Sequence, residues 1–210
     1  TKKMYPGIPY YLLGHSMGSF VTRKYICDYG YELDGVIIMG TGHQPTPMVL
    51  AGKALADITR FIKGDRYRSR LISKIMFGAY NKRIKNVRTS NDWLTRDETV
   101  VDEYNAGKLT TFLFTVNGYR GLMNMILYVR KPRNIAKIPK NLPMLMVSGL
   151  DDPVGEYGKG VYRAYNTYHG HIDDIDLRLF EDCRHELCNE LNKEEIYEEI
   201  YGWIMDHMNK

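Results

Sequence analysis

Apolar positions fall into two textures along the chain. In one, short runs are apolar throughout. Pro9 to Leu13 is such a run, Asp34-Gly35-Val36-Ile37-Ile38-Met39-Gly40 encloses a second, and Met144-Leu145-Met146-Val147-Ser148 is a third. Runs this short, apolar on both faces, predict buried parallel strands. Asp174 to Phe180 alternates instead, with Ile175, Leu177 and Leu179 on one face, which predicts a strand near a sheet edge. Helical stretches separate them. Met17 to Tyr29 is followed by the stop signal Gly30, and the tyrosine-rich Glu156 to His169 by Gly170. The last helix has Asn192 as cap, Glu195 as capping-box partner, and one stripe of Ile196, Ile200, Trp203, Ile204 and Met208. This alternation predicts an α/β fold with about four mainly parallel strands and flanking helices.

The second texture runs from Met48 to Lys131. Strand-like runs largely disappear there. Val49 to Ile62 places Leu55, Ile58 and Ile62 near helical spacing, and the segments around 72–80 and 112–129 also read as helical. The block is long for a simple crossover, so a helical insertion over the sheet edge is expected. Within it, Trp93 and Leu94 of Ser90-Asn91-Asp92-Trp93-Leu94 read as an ordered anchor. The expected organisation is therefore 1–47 as the first part of the α/β core, 48–131 as the insertion, and 132–210 as the rest of the core.

The chemistry centres on Leu13-Gly14-His15-Ser16-Met17-Gly18. A Gly-x-Ser-x-Gly between a strand and a helix predicts a sharp turn with a strained serine, and with Gly14 and Gly18 where backbone passes too close for a Cβ. The helix would point its N-terminus at the serine, and the Met17 amide would face a developing oxyanion. A serine hydroxyl needs a base, and a histidine base needs a carboxylate. The order serine, acid, histidine is the one expected on such a sheet, each after a strand. Ser16 and His185 meet that condition, and so do both Asp151 and Asp152, which spacing does not separate. His15, inside the turn, His43, in the loop after the second strand, and Trp93 are the candidate pocket-lining residues.

Four pieces carry a family resemblance: Leu13 to Ser19, Asp92 to Asp97, Ser148 to Gly155, and His185-Glu186. The chain resembles α/β-hydrolases of the monoacylglycerol lipase and lysophospholipase group, also labelled serine aminopeptidase S33-like. The resemblance implies the C-terminal part of an α/β-hydrolase fold, with the insertion as a lid. It places the acid three residues after the glycine, which favours Asp152. It implies carboxylic ester hydrolysis through an acyl-enzyme, a monoacyl lipid or small ester as substrate, and no metal or organic cofactor. A non-catalytic or truncated binding module on the same fold is the alternative. In this group about half of the sheet, and the His-Gly loop that gives a second oxyanion-hole amide, precede the serine strand. Pro9 to Leu13 is accordingly expected to be a central strand of a longer hydrolase, its open side covered by an upstream segment or by a second copy in a homodimer, and residues 1–210 alone to have little or no esterase activity.

Charge adds detail. Net charge is only +4, but Lys and Arg crowd Arg60 to Arg88, where Asp65 is the single acid. That stretch suits transient contact with an anionic membrane surface. It lacks the aromatic interleaving of a strand-binding surface, which argues against nucleic acid. Three cysteines without framework spacing fit a reducing compartment, so a cytoplasmic protein is expected. No apolar run reaches the ~18 residues of a membrane span.

Overall fold

The computed structural model describes residues 2–208. Its elements are, in order, β1 (Tyr11–His15), α1 (Met17–Tyr29), β2 (Gly35–Met39), α2 (Thr46–Lys63), α3 (Arg70–Phe77), α4 (Glu98–Ala106), α5 (Val116–Tyr128), the single turn α6 (Pro132–Ile135), β3 (Met144–Gly149), α7 (Lys159–His169), β4 (Ile175–Phe180) and α8 (Lys193–Met208). A 3-10 turn, Tyr80–Arg83, follows α3.

The strands form one parallel sheet in the order β1-β2-β3-β4. β2 and β3 are the inner strands, and their continuous apolar runs bury both faces. Ile38 and Met146 face one layer with Ile26 of α1 and Ala164 and Tyr168 of α7. Ile37 and Val147 face the other, with Ile196, Ile200 and Trp203 of α8. β4 alternates and lies at an edge, as its pattern predicts. β1 is the other edge strand among the described residues, paired with β2, and Leu13 is 44% exposed. Its other side has no strand partner among the described residues.

The block between β2 and β3 contains helices and no strand among the described residues, with irregular stretches at 84–97 and 107–115. Side-chain caps start three of its helices: Ser69 Oγ accepts from Ile72 N, Asp97 from Thr99 N and Thr115 from Gly118 N. α4 is the helix that periodicity does not reveal; its cap, not its short apolar stripe, marks it. The block is seated on α1, where Phe20 packs with Val49 of α2 and with Leu122, Met123 and Ile126 of α5. α7 begins at Lys159, later than its pattern suggests, because Glu156, Tyr157 and Gly158 take left-handed backbone (φ 52, 57 and 84).

Candidate active site

Three loops at the C-terminal ends of β1, β3 and β4 converge, as ligand sites on parallel sheets do. After β1, Ser16 adopts φ 54 and ψ −122 before α1 begins. That conformation is costly for a residue with a Cβ and persists because its surroundings hold it. The Ser16 N–H donates to the Met39 carbonyl at 3.0 Å, and Ser19 N donates back to the Ser16 carbonyl at 2.9 Å. Gly14 is needed for space: a Cβ there would lie 2.3 Å from Thr22 Oγ1 and 2.6 Å from the Gly18 carbonyl. Gly18 is not needed for the expected reason, since a Cβ there would meet nothing within 4 Å. Met17, the first residue of α1, presents a backbone N–H with no acceptor inside the helix.

Ser16, His185 and Asp152 are hydrogen-bonded in series. Asp152 Oδ2 accepts from His185 Nδ1 at 2.9 Å. The other ring nitrogen, Nε2, therefore accepts from Ser16 Oγ at 2.7 Å; this tautomer is assigned from the network. Asp152 is fully buried, and its second oxygen accepts from the Val154 N–H at 2.8 Å. Asp151, the competing acid, is exposed, and its N–H bonds the Cys183 carbonyl. Geometry thus separates two residues that spacing left equivalent. The series can move the serine proton to His185 while Asp152 stabilises the imidazolium.

Aromatic rings enclose the histidine. The Trp93 ring lies 5.0 Å from that of His185, at 44°. Tyr80 meets the edge of Trp93 at 4.8 Å. Tyr80 escaped the sequence reading because it falls in a 3-10 turn with no periodic signal. Burial, then the Asp152 charge, push its phenol above the usual range. The His15 ring lies 4.7 Å from that of His185, tilted at 43°, and its Nε2–H donates to the His185 carbonyl at 3.0 Å. Burial, then the charge of His185, lower the pKa of His15, which favours the neutral ring. Of the expected pocket residues, the structure thus brings His15 and Trp93 to the histidine.

His43 is held elsewhere. Arg130 Nη2 donates to its Nε2 at 2.6 Å, and Arg163 donates to its carbonyl at 3.2 Å. Its pKa is pushed down to about 4, first by burial, then by Arg130, Arg23 and Arg163. Among the described residues no group of three or more His, Cys, Asp or Glu could hold a metal ion.

A parallel sheet layered by helices, with a strained serine between strand and helix, defines an α/β-hydrolase fold. Residues 1–192 match the family model described as Serine aminopeptidase, S33, and the chain belongs to that family. Among curated proteins it is similar to a monoglyceride lipase homolog of Monkeypox virus, 24% identical over 210 residues, covering 99% of this chain and 67% of the relative. It is also similar to the Homo sapiens monoglyceride lipase, 24% identical, covering 97% of this chain and 60% of that protein. A thermostable carboxyl esterase from Bacillus coagulans superposes with TM-score 0.86 at 25% identity, over 99% of this chain and 66% of its own. A monoglyceride lipase variant from Saccharomyces cerevisiae superposes with TM-score 0.74 at 19% identity, over 98% and 64%. The chain therefore spans roughly three fifths to two thirds of the length of these proteins.

Proposed function

We propose that the chain carries the catalytic centre of a serine hydrolase that cleaves carboxylic esters through an acyl-enzyme. The observation that carries this reading is the hydrogen-bonded series Ser16–His185–Asp152 on a strained turn. Ser16 Oγ attacks the ester carbonyl and His185 Nε2 takes its proton. The Met17 N–H, at the helix N-terminus, stabilises the oxyanion. His185 then returns the proton to the leaving alcohol, and water releases the acyl group by the same route. Asp152 fixes the histidine tautomer throughout.

The substrate class is monoacyl lipids, monoacylglycerols or lysophospholipids. The names of the similar monoglyceride lipases support it, and so does the apolar helical block beside the site, which would act as a lid. The exposed cations Arg66 and Arg70 beside exposed apolar side chains of α2 and α3 support transient contact with an anionic lipid surface. Three unpaired cysteines support a cytoplasmic setting.

The test is fluorophosphonate labelling together with ester hydrolysis. In the full-length protein, Ser16→Ala should abolish labelling and lower turnover by on the order of 10⁴-fold, since these groups act as a unit. Asp152→Asn should be severe and Asp151→Asn mild. A binding module without turnover would fail to label, and a crippling Asp151→Asn would move the acid role.

A further inference from the structure

His185 stands on a loop, so something must hold that loop in register. Its two neighbours are both fixed by polar contacts. The Arg184 N–H donates to Glu190 Oε1 at 2.8 Å, and the Glu186 N–H donates to the Leu94 carbonyl at 2.7 Å. Glu190 is 1% exposed, so its carboxylate depends on protein donors. Besides Arg184 N it takes the Arg96 Nε–H at 2.9 Å, the Arg96 N–H at 3.3 Å and the Leu191 N–H at 3.2 Å. Contacts around it run the same way. Arg184 Nη1 donates to the carbonyls of Asp92 and Thr95 at 2.6 and 2.9 Å, Thr95 Oγ1 to that of Asn189 at 2.8 Å, and Arg96 Nη2 to Asn192 Oδ1 at 2.6 Å.

Residues 92–96 and 184–192, far apart in sequence, are therefore one hydrogen-bonded block with Glu190 at its junction. Trp93, whose ring faces His185, belongs to the same block. We propose that Glu190, paired with Arg96, is the positioning residue for His185: it locks the insertion segment 92–96 to the histidine loop and so sets the Ser16–His185 hydrogen bond. The carboxylate touches neither Ser16 nor the imidazole. It acts through the Arg184 amide, one residue before the base. This inference rests on the proposed role of His185, and its test separates the two.

The experiment compares wild type with Glu190→Gln, which keeps the side-chain shape but puts an amide where the Arg96 side chain and three backbone N–H groups need a carboxylate. Turnover is counted per serine titrated with fluorophosphonate, so unfolded protein does not enter. We expect kcat per titrated serine to fall by about 10²-fold with KM changed less than about twofold, the pattern of a misplaced base with substrate binding intact. A second readout needs no activity. The His185 Nδ1 proton shared with Asp152 should give a low-field proton resonance in wild type, and Glu190→Gln should broaden or remove it. Should the full-length wild-type protein, in which kcat is measured, hydrolyse no ester, the functional reading fails while the resonance still decides the positioning role. Arg96→Met covers the case in which Glu190→Gln does not fold. It leaves the carboxylate on the loop amides, removes the Arg96 side-chain link between Glu190 and the insertion segment, and should show the same two losses. Unchanged kcat per site and an unchanged resonance in whichever variant folds would overturn the proposal.

Discussion

Two stretches of the block between β2 and β3 meet the rest of the molecule in opposite ways. Residues 92–96 are short and irregular, yet Leu94 and Thr95 are buried, and their carbonyls take donors from the histidine loop. The pair α2 and α3 is regular, yet leaves Ile58, Phe61, Ile62, Leu71 and Ile75 exposed, Phe61 at 93%. Regular helix is no guide here to what belongs to the site. Attachment comes from buried polar partners across a long sequence separation, while the helices carry an apolar face that nothing covers among the described residues. A patch of that kind marks a surface suited to an apolar or amphipathic partner.

The sharpest way to break the contrast is one leucine against one isoleucine. Leu94→Ala empties a buried position and should cost about 2–5 kcal/mol of stability, whereas Ile58→Ala on the exposed face should stay within about 0.5 kcal/mol. Denaturant midpoints of the two variants measure this directly. Comparable losses would mean that α2 is docked as firmly as residues 92–96.

The contrast also explains what sequence could show. β2 and β3 were legible because burial on both faces leaves an uninterrupted apolar run, and Ser16 because Gly14 sits where a Cβ would strike Thr22. The choice between Asp151 and Asp152 lay beyond periodicity: both follow β3, and only the turn decides which carboxylate faces the ring. α4 was missed because its start is written in the Asp97 cap rather than in a stripe. Glu190 carries no local signal at all. In sequence it is one acid in an acid-rich tail, and its partner lies 94 positions away. His43 was legible as a residue at the sheet's C-terminal edge, but not as the neighbour of three arginines.

That neighbour effect gives a smaller, pH-dependent test at the root of α2. The folded state holds His43 neutral with its pKa near 4, while the unfolded chain takes up a proton near 6.5. Between those values the unfolded state binds more protons, so stability rises with pH there and is lost as pH falls from 6.5 towards 4. His15, lowered for a similar reason, adds in the same direction. His43→Gln should flatten part of that slope in urea midpoints taken across the window. An unaltered slope would mean that His43 does not titrate as its burial and its arginine neighbours dictate.

The smallest effect concerns the uncovered face itself. Arg66, Arg68 and Arg70 are all exposed in the basic stretch, and of the three the Arg68 guanidinium is held by protein, on the Leu113 carbonyl. If α2 and α3 present their apolar side chains to a lipid surface, Arg66 and Arg70 should supply most of the electrostatic part of the attraction. Each basic residue near an anionic bilayer contributes about 1 kcal/mol, so Arg66→Gln should weaken binding to phosphatidylserine vesicles by about fivefold at low salt. Arg68→Gln should do less, because that guanidinium is held by protein. Rising salt should shrink the difference between wild type and Arg66→Gln, since attraction between exposed charges is largely screened beyond about 10 Å at 0.1 M. Co-sedimentation across a salt series reads all three. Equal loss from Arg66 and Arg68, or binding insensitive to salt, would assign the basic stretch to solvent and leave the apolar face of α2 and α3 to a partner other than an anionic membrane.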